Sequence, residues 1–437
     1  MSLIGTLEIS RKALNAFKTA LTVTGHNIAN VNTPGYSRQR VELSPSIPLD
    51  ELPSGVDVEG IRRVRDLFAD LKYREAIAEQ GRWDVQRGVF EKVESVIGDT
   101  GEGSLLDLLD RFWAAWHDLA DLPESTSSRI HLIQTAQALT AKLKEIDSHL
   151  VETLGSIDEM LEEKLLRSNE LLREVAELNV EIAAVMGGGG NTSDLQDKRD
   201  AALDELSKLM GIGYSFEENG AVDLRAGGVT LVQSGEYSSL HLERTSSDVA
   251  ILTQDGVEVE PSGELGGLIE LRGKVSALLG EIRRIGAELI TRVNELHSSG
   301  YGLDGSTGTP FFTGNDSSDI EVNSDLIDNP ALIAAASEPD SPGDNSLALS
   351  IVSLRDTFDS EVKSLLTEVG SMAAQVERMA EGSKAVAERI NSLREGFSGV
   401  SLEEELLDLV IYQRAFQAAS KVAAVIDDLL QTVLNMV

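Results

Sequence analysis

Apolar side chains near the two ends of the chain recur with one rhythm. At the start they fall at Leu3, Leu7, Leu14, Phe17, Leu21, Ile28 and Val31, in multiples of a 4-3 alternation with Ser10 and Thr24 at the weak positions. Toward the far end, Leu407, Ile411, Ala415, Ala418, Val422, Val425, Leu429, Val433 and Met436 follow nearly the same spacing. Residues three and four apart share one side of an α-helix, so each end predicts a helix with one narrow apolar stripe. The two stripes read as halves of one assembly seam, buried against each other and against neighbouring copies of the chain.

Between them the period changes twice. The first helix, over 2–31, stops at Pro34-Gly35, because proline cannot continue the ladder. Residues 32–61 contain Pro34, Pro45, Pro48 and Pro53 and predict extended loop or short strand. Helical spacing resumes near Asp66, with Phe68, Leu71, Ala78, Val85, Val89 and Val96 on one face. Ser104, with Asp107 three residues on, caps a helix bearing Leu105, Leu109, Phe112, Trp116 and Leu119. Pro123 opens a very long helix through Met186, with Lys164 and Ser168 as polar breaks in its stripe, ended by Gly187–Gly190. From Gly211 the period is two. Six short strands are predicted from Ile212 to Val259, with turns at Asn219-Gly220 and Asp255-Gly256. Helix returns from Leu268 to Leu296, residues 300–345 read as loop with a strand or two, and a further helix carries Leu354 to Leu393. Ser401 and Glu404 predict a capping box for the last helix, with Glu403–Glu405 at its positive end.

The expected fold is mainly α with a small β domain (α+β). The N- and C-terminal regions form a long antiparallel bundle or coiled coil, and the antiparallel β domain is inserted. Expected boundaries are 1–60 for an N-terminal axial helix and loop, 61–210 for the first half of a helical rod, and 211–265 for the β domain. Residues 266–345 return to the rod, 346–400 form its second half, and 401–437 form the C-terminal axial helix.

Charge and composition narrow the function. The 437 residues carry 73 acidic and 38 basic side chains, a net −35, which a phosphate backbone would repel. Residues 1–40 are the exception, with Arg11, Lys12, Lys18, Arg38 and Arg40 against Glu8, so a basic end can meet acidic surface on another copy. With no cysteine there is neither a disulfide framework nor a thiolate metal site. No apolar run is long enough to span a membrane, and the N-terminus lacks the compact apolar stretch of a cleavable signal.

Catalytic patterns are weak throughout. His26, His117, His131, His149, His241 and His297 are scattered and read as surface or helix-face residues. The glycine run lacks the following Lys-Ser or Lys-Thr of a phosphate loop. Asp304, Gly305, Ser306 and Gly308 lack the closing acidic residue of a calcium loop. Trp113 and Trp116 lie on a helix of 3-4 spacing and read as core. No catalytic residue, cofactor or metal ligand is assigned.

Residues 26–39, His-Asn-Ile-Ala-Asn-Val-Asn-Thr-Pro-Gly-Tyr-Ser-Arg-Gln, strongly resemble the N-terminal signature of the bacterial flagellar axial proteins of rod, hook and hook-associated type. The signature residues are Asn27, Asn30, Thr33, Pro34, Gly35, Tyr36, Arg38 and Gln39. The continuation Tyr36-Ser37-Arg38-Gln39 is most similar to the members at the hook–filament junction. Further segments follow in the same order: Leu195, Asp197, Arg199 and Asp200; Gly263, Leu265, Gly266 and Gly267; Gly302 to Phe312, ending Gly308-Thr309-Pro310-Phe311-Phe312; and Ser398 to Glu405 with Tyr412, Gln413, Ala415, Phe416 and Ala418. One departure stands out. The chain passes from Phe312 to Ser341-Pro342-Gly343 within thirty residues, where many relatives carry a large outer insertion.

The resemblance implies a structural subunit joining hook to filament and permitting filament assembly. It further implies a ring of copies, contacts with the hook protein and the next hook-associated protein, and an export chaperone on the C-terminal helix. Type III export without a cleaved signal would place the chain in the extracellular flagellum. Another axial subunit, of hook or rod, is the neighbouring alternative; a soluble acidic binding or effector protein on an axial-type frame is the alternative of a different class. The terminal helices, marginal when isolated, are expected to be loosely ordered before assembly.

Overall fold

The computed structural model describes residues 3–47, 55–98, 101–244 and 249–435; Pro48, Pro53 and Met436 lie outside the described residues. The chain opens with helix α1 (Leu3–Ala29) and an antiparallel hairpin of β1 (Gln39–Pro45) and β2 (Val56–Arg63). The extended or short-strand reading of 32–61 resolves, among the described residues, into this hairpin. Pro45 does not interrupt the ladder, since it sits at the last register position, opposite Val56.

The body follows. Asp66 caps α2 (Leu67–Ile97) by accepting from the backbone N–H groups of Phe68 and Ala69. Ser104 caps α3 (Leu105–Asp121) through Asp107 N, as the sequence predicted. Helix α4 (Thr126–Gly187) runs unbroken for 62 residues, about 93 Å at ~1.5 Å per residue. Helix α5 (Ser193–Met210) folds back along it. Seven strands come next: β3 (Gly213–Phe216), β4 (Val222–Ala226), β5 (Val229–Gln233), β6 (Glu236–Tyr237), β7 (Leu240–Arg244), β8 (Val249–Thr253) and β9 (Glu258–Val259). Helix α6 (Gly263–His297) returns along α4 and α2. A cap of β10 (Phe312–Thr313), β11 (Glu321–Val322), α7 (Ser324–Asp328) and a 3-10 turn leads to α8 (Ser346–Val352), α9 (Arg355–Ser398) and α10 (Leu402–Asn435).

The core lies where α3, α4, α6 and the cap meet. Trp113 and Trp116 are buried there with Phe112, Phe311, Phe312 and Phe358, in tilted and edge-on ring contacts. Of the two readings given for His297, surface or helix face, the structure gives a helix face: it ends α6 and is buried. Its Nδ1 lies 2.7 Å from Thr309 O and its Nε2 accepts from Ala334 N at 2.9 Å, so the neutral ring ties the cap to α6. Burial, opposed by the Thr309 bond and reinforced by Arg129, lowers its pKa to about 4. Arg129, also buried, holds the same cap through the carbonyls of Ile333 and Pro330 and ties it to the α3–α4 connection through Pro123 O.

The β region forms two sheets, four-stranded β3-β4-β5-β6 and three-stranded β7-β8-β9, laid on α4. Two asparagines of α4 anchor them. Asn179 bonds Val222 N, Val222 O and Ser234 O, and Asn169 bonds Leu240 N and O. The expected Asn-Gly and Asp-Gly turns form with positive φ only at Gly220 and Gly256. The pattern missed a two-residue hairpin: Gly227 (φ 54°) and Gly228 (φ 80°) join β4 to β5 directly between paired Ala226 and Val229.

Candidate functional site

Two features fall outside the ordinary economy of a folded core: a polar elbow where the terminal helices meet the body, and an apolar face that the helices leave uncovered.

The elbow is built on the turn that follows α1. Asn27, buried near the end of that helix, uses its whole amide. Its Nδ2 donates to Gln39 O (2.9 Å) and Glu405 Oε2 (3.0 Å), while its Oδ1 accepts from Gln39 N (2.9 Å) and the Tyr36 hydroxyl (2.7 Å). One side chain thus ties α1 to β1 and to the first turn of α10. Burial, with Asp197, Asp194 and Glu405 nearby, pushes the Tyr36 hydroxyl far above its usual range, so it stays a proton donor. Arg38 donates to Glu405 Oε1 and Glu404 Oε2, both at 2.7 Å, and its backbone N–H bonds Ser398 O. Glu404 is therefore committed to Arg38, which corrects its expected role as capping partner of Ser401.

Ser37 and Gln39 turn the other way, toward α5. Ser37 N and Oγ both donate to Asp197, and Gln39 Nε2 donates to Asp194. Below them lies a buried ionic hub. Asp200 receives Arg63 (2.6 Å), Arg65 (2.8 Å) and Arg74 (3.1 Å); Arg65 also holds Asp70, Arg74 holds Asp204, and Arg394 of α9 reaches both Asp70 and Asp204. Burial alone would raise the Asp200 carboxyl, but Arg65, Arg63 and Arg74 hold it down at about 2. Arg63 also holds Asp197 (2.7 Å), so four arginines face four aspartates, the hub is neutral and desolvation is compensated within it. The neighbouring Arg199 faces elsewhere, donating to Asn179 Oδ1 and Gly220 O to brace the β region.

The sequence flagged Asp197, Arg199 and Asp200 by resemblance without giving them partners, and it passed over Arg63, Arg65, Asp70, Arg74, Asp204 and Arg394. One local signal existed. Asp197, Asp200 and Asp204 step by three and four along what proves to be the buried face of α5, where apolar residues would be expected.

The signature divides in two. Asn27, Tyr36, Arg38 and Gln39 are consumed inside the elbow. Thr33 bonds only Asn30 close by, Pro34 is exposed, and Gly35 takes the turn at φ 78°. Asn30, Thr33, Pro34 and Gly35 line a groove whose other wall is the turn from α9 to α10.

The predicted seam is placed differently from its reading. Helices α1 and α10 do pack along one another, antiparallel, since Asn27 at the end of α1 meets Glu405 at the start of α10. The most buried positions, however, differ from the predicted stripes. On α1, which packs on both α10 and the hairpin, they are Ser10, Ala16, Ala20, Val23, Thr24 and Asn27. Leu3, Leu7, Leu14, Phe17, Leu21, Ile28 and Val31 are only half-buried. On α10 the covered face runs through Glu405, Leu409, Tyr412, Phe416, Ala419, Ala423 and Ile426. Leu407, Ile411, Ala418, Val422, Val425, Leu429 and Val433 all face out. Leu407 is 63% exposed, Leu429 48% and Leu434 74%. The covered face of α10 mixes the bulky Leu409, Tyr412, Phe416 and Ile426 with Ala419 and Ala423, and the predicted stripe is left outward. The two stripes are thus not halves of one intramolecular seam. A contiguous apolar face of this length marks a surface that is covered in use.

Among the described residues no helix is long and apolar enough to cross a membrane, and no group of three or more acidic or histidine side chains is placed to hold a metal. Asp304 instead accepts from Ser306 N and Oγ in its own turn.

Comparison with known proteins agrees with this architecture. The family described as flagellar hook-associated protein FlgK helical domain matches residues 90–312. The terminal regions match flagellar basal-body rod families, over 7–36 at the start and 396–436 at the end. The chain is 26% identical to flagellar hook-associated protein 1 of Bacillus subtilis, over 98% of this chain and 97% of that one. It is 27% identical to the protein of the same name from Salmonella typhimurium, over 69% of this chain but 58% of that longer relative. The flagellar hook junction protein FlgK from Burkholderia pseudomallei shares the fold, with a TM-score of 0.51, 20% identity, and coverage of 56% of this chain and 46% of that structure. Elbow, rod and terminal helices together place this chain in the flagellar hook-associated protein FlgK family, whose members are structural components of the flagellum.

Proposed function

We propose that the chain is the structural joint between hook and filament, that copies form a ring on the hook, and that the ring presents a surface on which the filament is built. The observation that carries this is the outward apolar face of α10 from Leu407 to Val433, joined to the body by a rigid polar elbow. A face of that extent is favourable only when covered, and coverage by neighbouring copies stacked around an axis supplies the burial. The half-buried edge of α1 completes the strip that a neighbour would cover. The role is mechanical, not catalytic.

The same face accounts for the other expected partners. The hook protein and the next hook-associated protein would meet the ring from either side. An export chaperone would cover the α10 stripe in the cytoplasm, and the chain would leave through the flagellar export channel without a cleaved signal. Ordering of α1 and α10 on assembly fits this scheme, since each has only the other helix and the hairpin to lean on.

The test is a deletion strain complemented with wild-type or Leu429→Asp chain. Hooks without filaments, with filament subunit lost to the medium, are expected for the deletion and for Leu429→Asp, and normal filaments for wild type. Normal filaments in either of the first two overturn the proposal.

A further inference from the structure

A second surface sits on the body side of the elbow. Residues from β2, α2, α4, α5 and β3 line a groove of about 410 Å³. Its basic lining is Arg62, Arg63, Arg65 and Arg74, against only Asp70 and Asp200 among the acidic residues. Arg63, Arg65 and Arg74 are balanced by aspartates within the hub, which leaves Arg62 as the outward cation of the lining. Apolar groups complete the lining: Leu67 is 59% exposed, Phe216 47% and Met186 42%. Arg62 reaches outward, paired only with Glu42, and both ion pairs of Arg63 are made by its Nη1 alone. A guanidinium with donors to spare beside exposed apolar side chains recognises a carboxylate on an apolar backing.

An exposed segment of that chemistry opens α10. The first turns of α10 present Leu402, Leu406 and Leu407 to solvent together with Glu403 and Glu404. This segment and the groove lie at the same level of the molecule, because Gln39 pairs with Arg63 across the hairpin while Arg38 holds Glu404.

We propose that the groove receives residues 402–407 of a second copy, with Glu403 meeting Arg62 and the leucines covering Leu67, Met186 and Phe216. The two surfaces differ, so the contact is heterologous; repeated at one level it runs from subunit to subunit around a ring. This deepens the junction reading and rests on it, adding a lateral contact on the body to the axial face of α10.

The absence of cysteine makes the test direct. A full chain carrying Phe216→Cys and Leu406→Cys, assembled on hooks and mildly oxidised, is expected to give a ladder of cross-linked oligomers. Each single variant is expected to give none. Arg62→Glu should weaken the ladder at least several-fold, and adding Glu403→Arg should restore it; both positions are exposed, so circular dichroism and the unfolding midpoint should not move. Filaments that assemble with the double-cysteine chain but yield no ladder overturn the groove contact and leave the junction reading standing. A ladder indifferent to Arg62→Glu overturns the assigned pairing. Filaments that form without the chain overturn both.

Discussion

The body and the axial helix pair are made of the same element, long helices with 3-4 apolar spacing, yet they resolve it in opposite ways. In the body, α4 is covered on successive stretches by α2, α3, α5, α6 and the sheets. Its leucines from Leu132 to Leu172 are largely buried. In the axial pair, α10 has α1 as its main partner, and only Glu405 and Ile426 of its 34 residues are fully buried. Helical spacing reports that a face must be covered. It does not report whether the cover comes from the same chain. That difference separates stability from assembly in this molecule.

Several measurements would break or sharpen this contrast. The largest effect is expected in the core: Trp116→Ala should cost about 3–5 kcal/mol in chemical denaturation of the monomer, since cap and rod lose their shared aromatic centre. A loss below 1 kcal/mol would mean that the body is not the stable unit. Asp200→Ala leaves three buried arginines without their common partner and should cost about 3 kcal/mol or more; a small loss would show the hub to be hydrated and loose.

The pH dependence should then come from the body. His297 has a folded pKa depressed to about 4 from an ordinary 6.5. Below pH 6.5 the unfolded chain binds a proton that the folded chain refuses, so stability is fully present above pH 6.5 and falls toward pH 4. The loss is about 3 kcal/mol over that window. Asp200 adds a second loss below pH 4, as its carboxyl protonates in the unfolded chain first. A flat profile between pH 7 and 4.5, by denaturant titration, would overturn the account of His297.

Asn27→Ala removes four hydrogen bonds at the elbow and should cost about 1–3 kcal/mol, read as faster hydrogen exchange in α10 and β1. Smallest of all, Leu429→Ala should change monomer stability by less than about 0.5 kcal/mol. An effect as large as that of Trp116→Ala would show the axial face to be part of the folded core.

Much of the fold was legible in the chain. The unbroken α4, the cap at Ser104, the six strand positions and the buried tryptophans follow from period, capping and turn chemistry, which act over a few residues. Three things were not. Helix α5 was hidden because its buried face carries Asp197, Asp200 and Asp204, and a search for apolar period cannot see a face neutralised by arginines from β2, α2 and α9. The burial of His297 was hidden because its two hydrogen-bond partners, Thr309 and Ala334, come from the cap. On α10, apolar residues occur on nearly every side, so the heptad template selected one stripe and passed over the neighbouring one, from Leu409 to Ile426, that is covered in the fold.

By itself, the sequence determined which segments are helical, where the chain turns, that both ends carry apolar surface needing cover, and which family signature joins them. Those properties are local: they depend on side-chain type, on spacing and on a few backbone hydrogen bonds. Only the tertiary structure decided which stripe of each terminal helix is spent inside the chain and which is left for another molecule, and which distant arginine meets which aspartate. Those outcomes depend on how closely two backbones can approach and on charges brought together from far apart in the chain, and spacing along a single helix carries neither.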